Sequence, residues 1–224
     1  MAIWLTSDEH HHHRNVIKYC NRPFTKNVDK LHQDMMGNQT VAEYDAALWL
    51  DVLEMTETLI ANHNALVKPE DEVYHLGDFS LSKRAPGEVL PRLNGIHHMR
   101  AAGNHDWCHP VHSKKPEKLQ KMRNLYFDAG FKTIELSGAM FIEDRLVEMS
   151  HFPYLDPNPD FDQRYPQFRP EDKGSVLLHG HVHEKWLTKV SPKGSLMINV
   201  GVDVWGMKPV SLDEIAELIR DFKN

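Results

Sequence analysis

Short apolar runs rich in β-branched residues alternate along the chain with longer amphipathic stretches, the rhythm of an α/β fold. Such runs predict strands over residues 3–6, 72–76, 97–101, 133–136, 146–149, 176–179 and 196–200. Helical spacing fills residues 28–67, with a break near Gly37 and Asn38, and predicts shorter helices over 15–20, 86–93 and 116–129. The last helix has a start signal. Ser211, with Glu214 three residues later, is a capping-box pattern ahead of Ile215, Leu218, Ile219 and Phe222. Residues 153–170 are proline-rich, carry no strong period and read as a long surface loop, a kind of segment that is often functional.

Five polar clusters each follow an apolar run. Ile3-Trp4-Leu5-Thr6-Ser7 leads into Asp8-Glu9-His10, Val73-Tyr74-His75-Leu76 into Gly77-Asp78, and Met99-Arg100-Ala101-Ala102 into Gly103-Asn104-His105-Asp106. Leu146-Val147-Glu148-Met149-Ser150 leads into His151, and Val176-Leu177-Leu178-His179 into Gly180-His181-Val182-His183. In an open α/β sheet, ligands bind outside the carboxyl ends of the strands, so neighbouring strands would bring these clusters together. Glycines at 77, 103 and 180 allow sharp turns and close backbone approach to an ion or phosphate. Each cluster alone has a plainer reading. The His10–His13 run could be a tag or a solvated loop, Gly77-Asp78 a turn, and Gly103-Asn104-His105-Asp106 an Asx-turn. Their joint occurrence, in order and at strand ends, argues against those readings.

Asp, His and Asn are hard-to-borderline ligands that suit Mn, Fe, Zn or Ni, not a soft thiolate centre. The clusters supply seven candidates: Asp8, His10, Asp78, Asn104, His151, His181 and His183. One zinc ion is satisfied by about four ligands. Seven therefore fit two ions sharing a carboxylate, and two ions about 3.5–4 Å apart can clamp the attacking and leaving oxygens of an in-line displacement.

Composition narrows the classes. A formal charge of −6 argues against broad binding to a nucleic acid backbone, which wants a basic face. It leaves room for a small anionic substrate, because bound cations reverse the local field. Two cysteines, Cys20 and Cys108, give no disulfide framework and fit a reducing compartment. The start, Met1 to Thr6, has neither a basic segment nor a long apolar one, and no run approaches the roughly 20 apolar residues of a membrane span. The expectation is a cytoplasmic protein without a membrane partner. Oligomeric state is not readable.

The ordered blocks D-x-H, G-D, G-N-H-D, a lone His and G-H-x-H, over residues 8–183, resemble the calcineurin-like metallophosphoesterase family. Tyr19-Cys20-Asn21-Arg22-Pro23-Phe24, the segment from Lys68 to Asp78 and Asn199-Val200-Gly201-Val202-Asp203-Val204-Trp205 are similar to its small bacterial and phage branch. The resemblance implies an α/β sandwich of two mixed β-sheets flanked by helices. It implies one domain over 1–224, with a helical cap insertion around 28–67. It implies two divalent metal ions, manganese favoured. Asp8, His10, Asp78 and His183 would hold one, and Asp78, Asn104, His151 and His181 the other, with Asp78 bridging. The implied reaction is hydrolysis of a phosphodiester, a nucleotide-like one favoured over nucleic acid, by a hydroxide between the ions. A phosphomonoester is the alternative on the same site. His105 would stabilise the transition state or protonate the leaving oxygen, and Asp106 would orient it.

Two departures stand out. His11 and His12 replace the branch's usual Phe-Gly and read as exposed, while His13 keeps its place near the site. The stretch from Phe24 to Asn62 is longer than the branch pattern. Arg22 is a candidate phosphate contact, with a salt bridge as the even alternative. Arg164 and Arg169 read as solvated loop residues, with a phosphate clamp as the second choice. Two rival classes fit these residues less well. A metallo-β-lactamase-type site expects H-x-H-x-D-H, but Glu184 and Lys185 follow His183 here. A non-catalytic metal- or nucleotide-binding module is disfavoured by intact Asp8, Asp78, Asn104 and His105.

Overall fold

The computed structural model describes residues 1–36, 38–158 and 160–222. In chain order, its strands are β1 (Ile3–Thr6), β2 (Glu72–His75), β3 (Ile96–Met99), β4 (Ser137–Ile142), β5 (Arg145–Ser150), β6 (Val176–His179), β7 (Thr188–Val190), β8 (Leu196–Asn199) and β9 (Val210–Ser211). They form two mixed sheets with the orders β3-β2-β1-β9 and β4-β5-β6-β8-β7. β1, β2 and β3 are parallel, as are β5, β6 and β8, while β9, β4 and β7 pair antiparallel at the edges. β6 and β8 read Val-Leu-Leu-His and Leu-Met-Ile-Asn and are buried at every position. Continuous apolar runs of this kind are what parallel strands covered on both faces require.

The sheets pack face to face. Leu5, Leu76 and Ala101 from one meet Val147, Met149, Leu178, Ile198 and Val200 from the other. The final helix covers the same core with Ile215 and Ile219. It begins as expected: the Ser211 hydroxyl accepts from Glu214 N at 3.2 Å, and the Glu214 carboxylate accepts from Ser211 N at 2.9 Å.

Among the described residues, six helices flank the sheets: α1 (Arg14–Tyr19), α2 (Lys26–Met35), α3 (Val41–Leu66), α4 (Ala85–Val89), α5 (Pro116–Ala129) and α6 (Leu212–Asp221). The expected long helical region is thus α2 and α3, and the expected break falls between them, although Gly37 itself lies outside the described residues. Thr40 starts α3 with a second capping box, closed by Glu43. Buried Asp51 on α3 accepts from Asn27 N at 2.8 Å and Val28 N at 3.0 Å, satisfying orphan amides of the first turn of α2. Val52, Met55 and Leu59 of α3 then pack on Val16, Ile17 and Phe24. The helical pair therefore backs α1.

One strand expectation is corrected. Residues 133–136 form no strand of their own. Ile134 makes an isolated bridge to Met99, with Met99 N on Thr133 O and Glu135 N on Met99 O. The chain then crosses to the second sheet, where β4 begins at Ser137. Residues 153–170 form the expected long loop, broken by a 3-10 turn at Pro166–Phe168, with residue 159 outside the described set. No helix among the described residues is long and apolar enough to cross a membrane.

Candidate metal centre

The five polar clusters leave the carboxyl ends of β1, β2 and β3 in one sheet and of β5 and β6 in the other. These ends lie together, and a parallel bridge between Ser7 and Gly201 links the sheets there. The backbone turns sharply. Asp8, His10, Asp78, His181 and His183 take φ values of 59°, 52°, 55°, 71° and 52°. Side-chain-bearing residues rarely adopt this left-handed region, and such strain persists where surroundings over-determine it. Here Asp8 N donates to Gly77 O at 2.9 Å and His10 N to Asp78 O at 3.0 Å. His105 N donates to Asp78 Oδ1 at 2.8 Å and His181 N to Asp8 Oδ2 at 2.9 Å.

The glycines make room for the carboxylates. A Cβ at residue 103 would lie 2.1 Å from Asp78 Oδ1, and one at residue 180 would lie 2.4 Å from Asp8 Oδ2. Both carboxylates are buried, and side-chain nitrogens converge on them. Asp78 Oδ2 has His151 Nε2 at 3.4 Å, His10 Nε2 at 3.5 Å and His105 Nε2 at 4.0 Å. His183 Nε2 lies 3.9 Å from Asp8 Oδ1. Three clusters could hold a metal ion: Asp8 with His10 and His183, Asp8 with Asp78 and His151, and His10 with His13 and His105.

A direct fit test comes from unpartnered atoms. His10 Nε2, His151 Nε2 and Asn104 Oδ1 are buried without hydrogen-bond partners. Buried polar atoms are ordinarily satisfied, and three orphans gathered around two carboxylates suit the ligands of a cation. Two ligand atoms each about 2.1 Å from one ion are separated by about 3–3.5 Å, which matches the Asp78 contacts. The residues present fit divalent metal ions.

Two of the candidate ligand histidines are also oriented from behind. His151 Nδ1 bonds Leu76 O at 2.8 Å, and His183 Nδ1 bonds Asp203 Oδ2 at 2.9 Å. Each leaves Nε2 facing a carboxylate. Burial pulls His183 and His151 down, but Asp8 and Asp78 respectively overcome it and lift them to about 11 and about 9. The carboxylates thus gather positive charge in their neighbourhood. His181 stands outside the three clusters, and its Nε2 meets the Asp162 carboxylate.

Four expectations change here. Arg22 is buried and makes a fork onto Asp203, at 2.7 and 2.8 Å. Its other donors reach Asp8 O at 2.5 Å and Glu9 O at 2.9 Å. Its donors are consumed inside the protein, so it braces the first motif, which is the salt-bridge alternative. Asp106 does not touch the His105 ring. Its fully buried carboxylate accepts from the amides of Asp78 at 2.8 Å, Phe79 at 3.0 Å and Gly103 at 2.9 Å, tying the second and third turns together. His11 is buried against Phe79 instead of exposed, and His12 is half-buried. Arg169 has a buried side chain, whereas Arg164 is exposed as expected.

The cleft over the centre has a volume of about 350 Å³ and is lined by His10, His13, Tyr19, His105, Arg164 and Lys185, among others. His13 and His105 both line it, with their ring centroids 5.4 Å apart. α2 and α3 contribute nothing to this lining. Sequence reasoning missed the layer behind the ligands. Glu9 bonds His75 at 2.9 Å, and His75 reaches His97 at 3.0 Å. Burial raises Glu9 to about 7.

No protein-family model matches the chain. An uncharacterized protein of Methanocaldococcus jannaschii, MJ1445, is 33% identical over 228 residues, covering 99% of this chain and 93% of the relative. The Gene 66 protein of Mycobacterium phage D29 is 33% identical over 169 residues, covering 70% of this chain and 79% of the relative. The crystal structure of a protein of unknown function from Aquifex aeolicus, AQ665, shares the fold. Its TM-score is 0.58 at 23% identity, over 97% of this chain and 98% of that one. With a third of its residues shared with the first over nearly the whole chain and with the second over 70% of it, the chain belongs to the family of the Methanocaldococcus protein and the phage Gene 66 protein.

Proposed function

We propose that this chain is a metal-dependent phosphoesterase acting on a small phosphodiester, with a nucleotide-like substrate favoured. The observation that carries the reading is the set of orphaned atoms, His10 Nε2, His151 Nε2 and Asn104 Oδ1, buried around the Asp8 and Asp78 carboxylates. Two divalent ions, manganese favoured, fit this donor set. Asp8, His10, Asp78 and His183 would hold one, and Asp78, Asn104, His151 and His181 the other. Bound there, they would supply charge stabilisation for a phosphoryl centre and a water of lowered pKa.

The chain's own residues do the rest. Asp78 and Asp8, fixed by backbone amides, hold the centre at the floor of the cleft. His105 keeps about a third of its side chain exposed and has its Nε2 4.0 Å from Asp78, so it reaches both floor and solvent. That position suits delivery of a proton to an alkoxide leaving oxygen, which a diester needs more than an activated monoester. His13, beside it, is held neutral by burial, which lowers it to about 4, and it can accept a hydrogen bond. Arg164 and Lys185 supply positive charge at the rim for an anionic substrate. The chain is proposed to act as one catalytic domain, with α2 and α3 influencing the cleft through α1.

The test is hydrolysis of bis(p-nitrophenyl) phosphate by protein reconstituted with manganese, beside the monoester and a panel of cyclic nucleotides. Turnover of the diester above the monoester is expected. No metal uptake and no turnover with any divalent cation would sink the reading and favour a binding module.

A further inference from the structure

The 153–170 loop approaches the metal centre through one carboxylate. Asp162 meets Nε2 of His181, the first His of the last motif. Behind it, Asp162 Oδ2 is held by Arg169 Nη2 at 3.1 Å, and Oδ1 by Arg164 Nε at 2.8 Å. Arg169 is itself anchored, donating to Pro153 O at 3.1 Å and to Arg164 O at 2.9 Å, with only 2% of its side chain exposed.

The same construction occurs on the other side of the site. His183 Nδ1 meets Asp203 at 2.9 Å, and Asp203 is gripped by the fork of Arg22, whose side chain is fully buried. Two histidines of one motif therefore each give one ring nitrogen to a carboxylate, and a buried arginine holds that carboxylate. A neutral imidazole has one donor and one acceptor nitrogen, so a carboxylate on one nitrogen fixes the proton there and frees the other. Carboxylates behind ligating histidines do this in metal sites generally. The buried arginine keeps the aspartate ionised and therefore an acceptor.

We propose that Asp162 is a positioning residue of the metal centre, holding His181 as the tautomer whose Nδ1 is free for the second ion. The proposal rests on the metal-dependent reading above. It adds a ligand-orienting residue contributed by the long loop, and it makes that loop part of the centre instead of a solvated connection. Asp162 does for His181 what Asp203 does for His183.

Manganese binding reads this out without turnover, by calorimetric titration and by the electron paramagnetic resonance signal of the metal pair. In Asp162→Ala, one of two manganese sites should weaken by about 10–100-fold while the other stays near native affinity. Asp162→Asn, whose amide oxygen still accepts from Nε2–H, should recover part of the loss and guards against a misfolded alanine variant. Native affinity at both sites in both variants would overturn the proposal. So would an equal loss in Gln163→Ala, because the Gln163 amide donates to Asp156 O at 2.7 Å and Phe161 O at 3.2 Å within the loop and bonds neither the Asp162 carboxylate nor His181. Native protein that takes up no manganese would sink the phosphoesterase reading as well. Native protein that binds two ions, with unaffected Asp162 variants, would sink this proposal alone.

Discussion

Residue by residue, the site separates groups that face the cleft from groups that hold them. His105 faces it. His105→Ala should keep manganese content and lose about 10²–10⁴-fold in kcat, the usual worth of a positioned acid. Metal loss on elemental analysis would move His105 among the ligands instead. Arg22 holds. Arg22→Met would leave the buried Asp203 carboxylate with His183 alone and should cost about 3–5 kcal/mol in urea denaturation. Unchanged stability with a raised KM would return Arg22 to the substrate. These two cases show what the sequence can and cannot disclose. His105 was legible because it lies inside a motif at a strand end. Arg22 was not, because an exposed phosphate clamp and a buried fork use the same residue, and Asp203 lies 181 positions away. Asp106 misled for a similar reason. It neighbours His105 in sequence, yet the amides of the second turn claim its oxygens.

Secondary-structure elements position the site mainly by where they stop. The alternation of apolar runs and polar clusters made the ends of β1, β2, β3, β5 and β6 readable, because each run is bounded by its own cluster. β7 and β9 were not readable, at three and two residues, because no period can show over so few positions. The glycines after the strands carry the stricter requirement. In Gly180→Ala, the new Cβ would sit 2.0 Å from Ser7 Oγ and 2.4 Å from Asp8 Oδ2. Overpacking of this kind costs about 1–3 kcal/mol, and the displaced Asp8 should weaken metal binding as well. Gly87→Ala is the control, with nothing within 4 Å of its added Cβ. It should match or exceed native stability in the same denaturant titration. Equal behaviour of the two variants would show that the close approach at Gly180 does not constrain the fold.

Across the whole molecule, protonation and metal uptake are tied together. Burial depresses His183 and His151, yet Asp8 and Asp78 raise them to about 11 and about 9. An incoming ion must displace those protons, so affinity should fall as pH drops below about 11 and more steeply below about 9, and binding near neutrality should release protons. Calorimetry in buffers of different ionisation enthalpy measures the release, and a binding heat independent of buffer would contradict it. The bridge between Ser7 and Gly201 gives this linkage a mechanical side. Asp8, His10, Asp78 and Asn104 hang from one sheet, while His151, His181 and His183 hang from the other. An ion shared between them would be a cross-link closed over most of the chain, holding the two layers together at that end. Chelation would loosen the layers there while the apolar core still joins them. Amide protons at the carboxyl ends of β1 and β6 would then begin to exchange together, while those buried at the far end of the core would not.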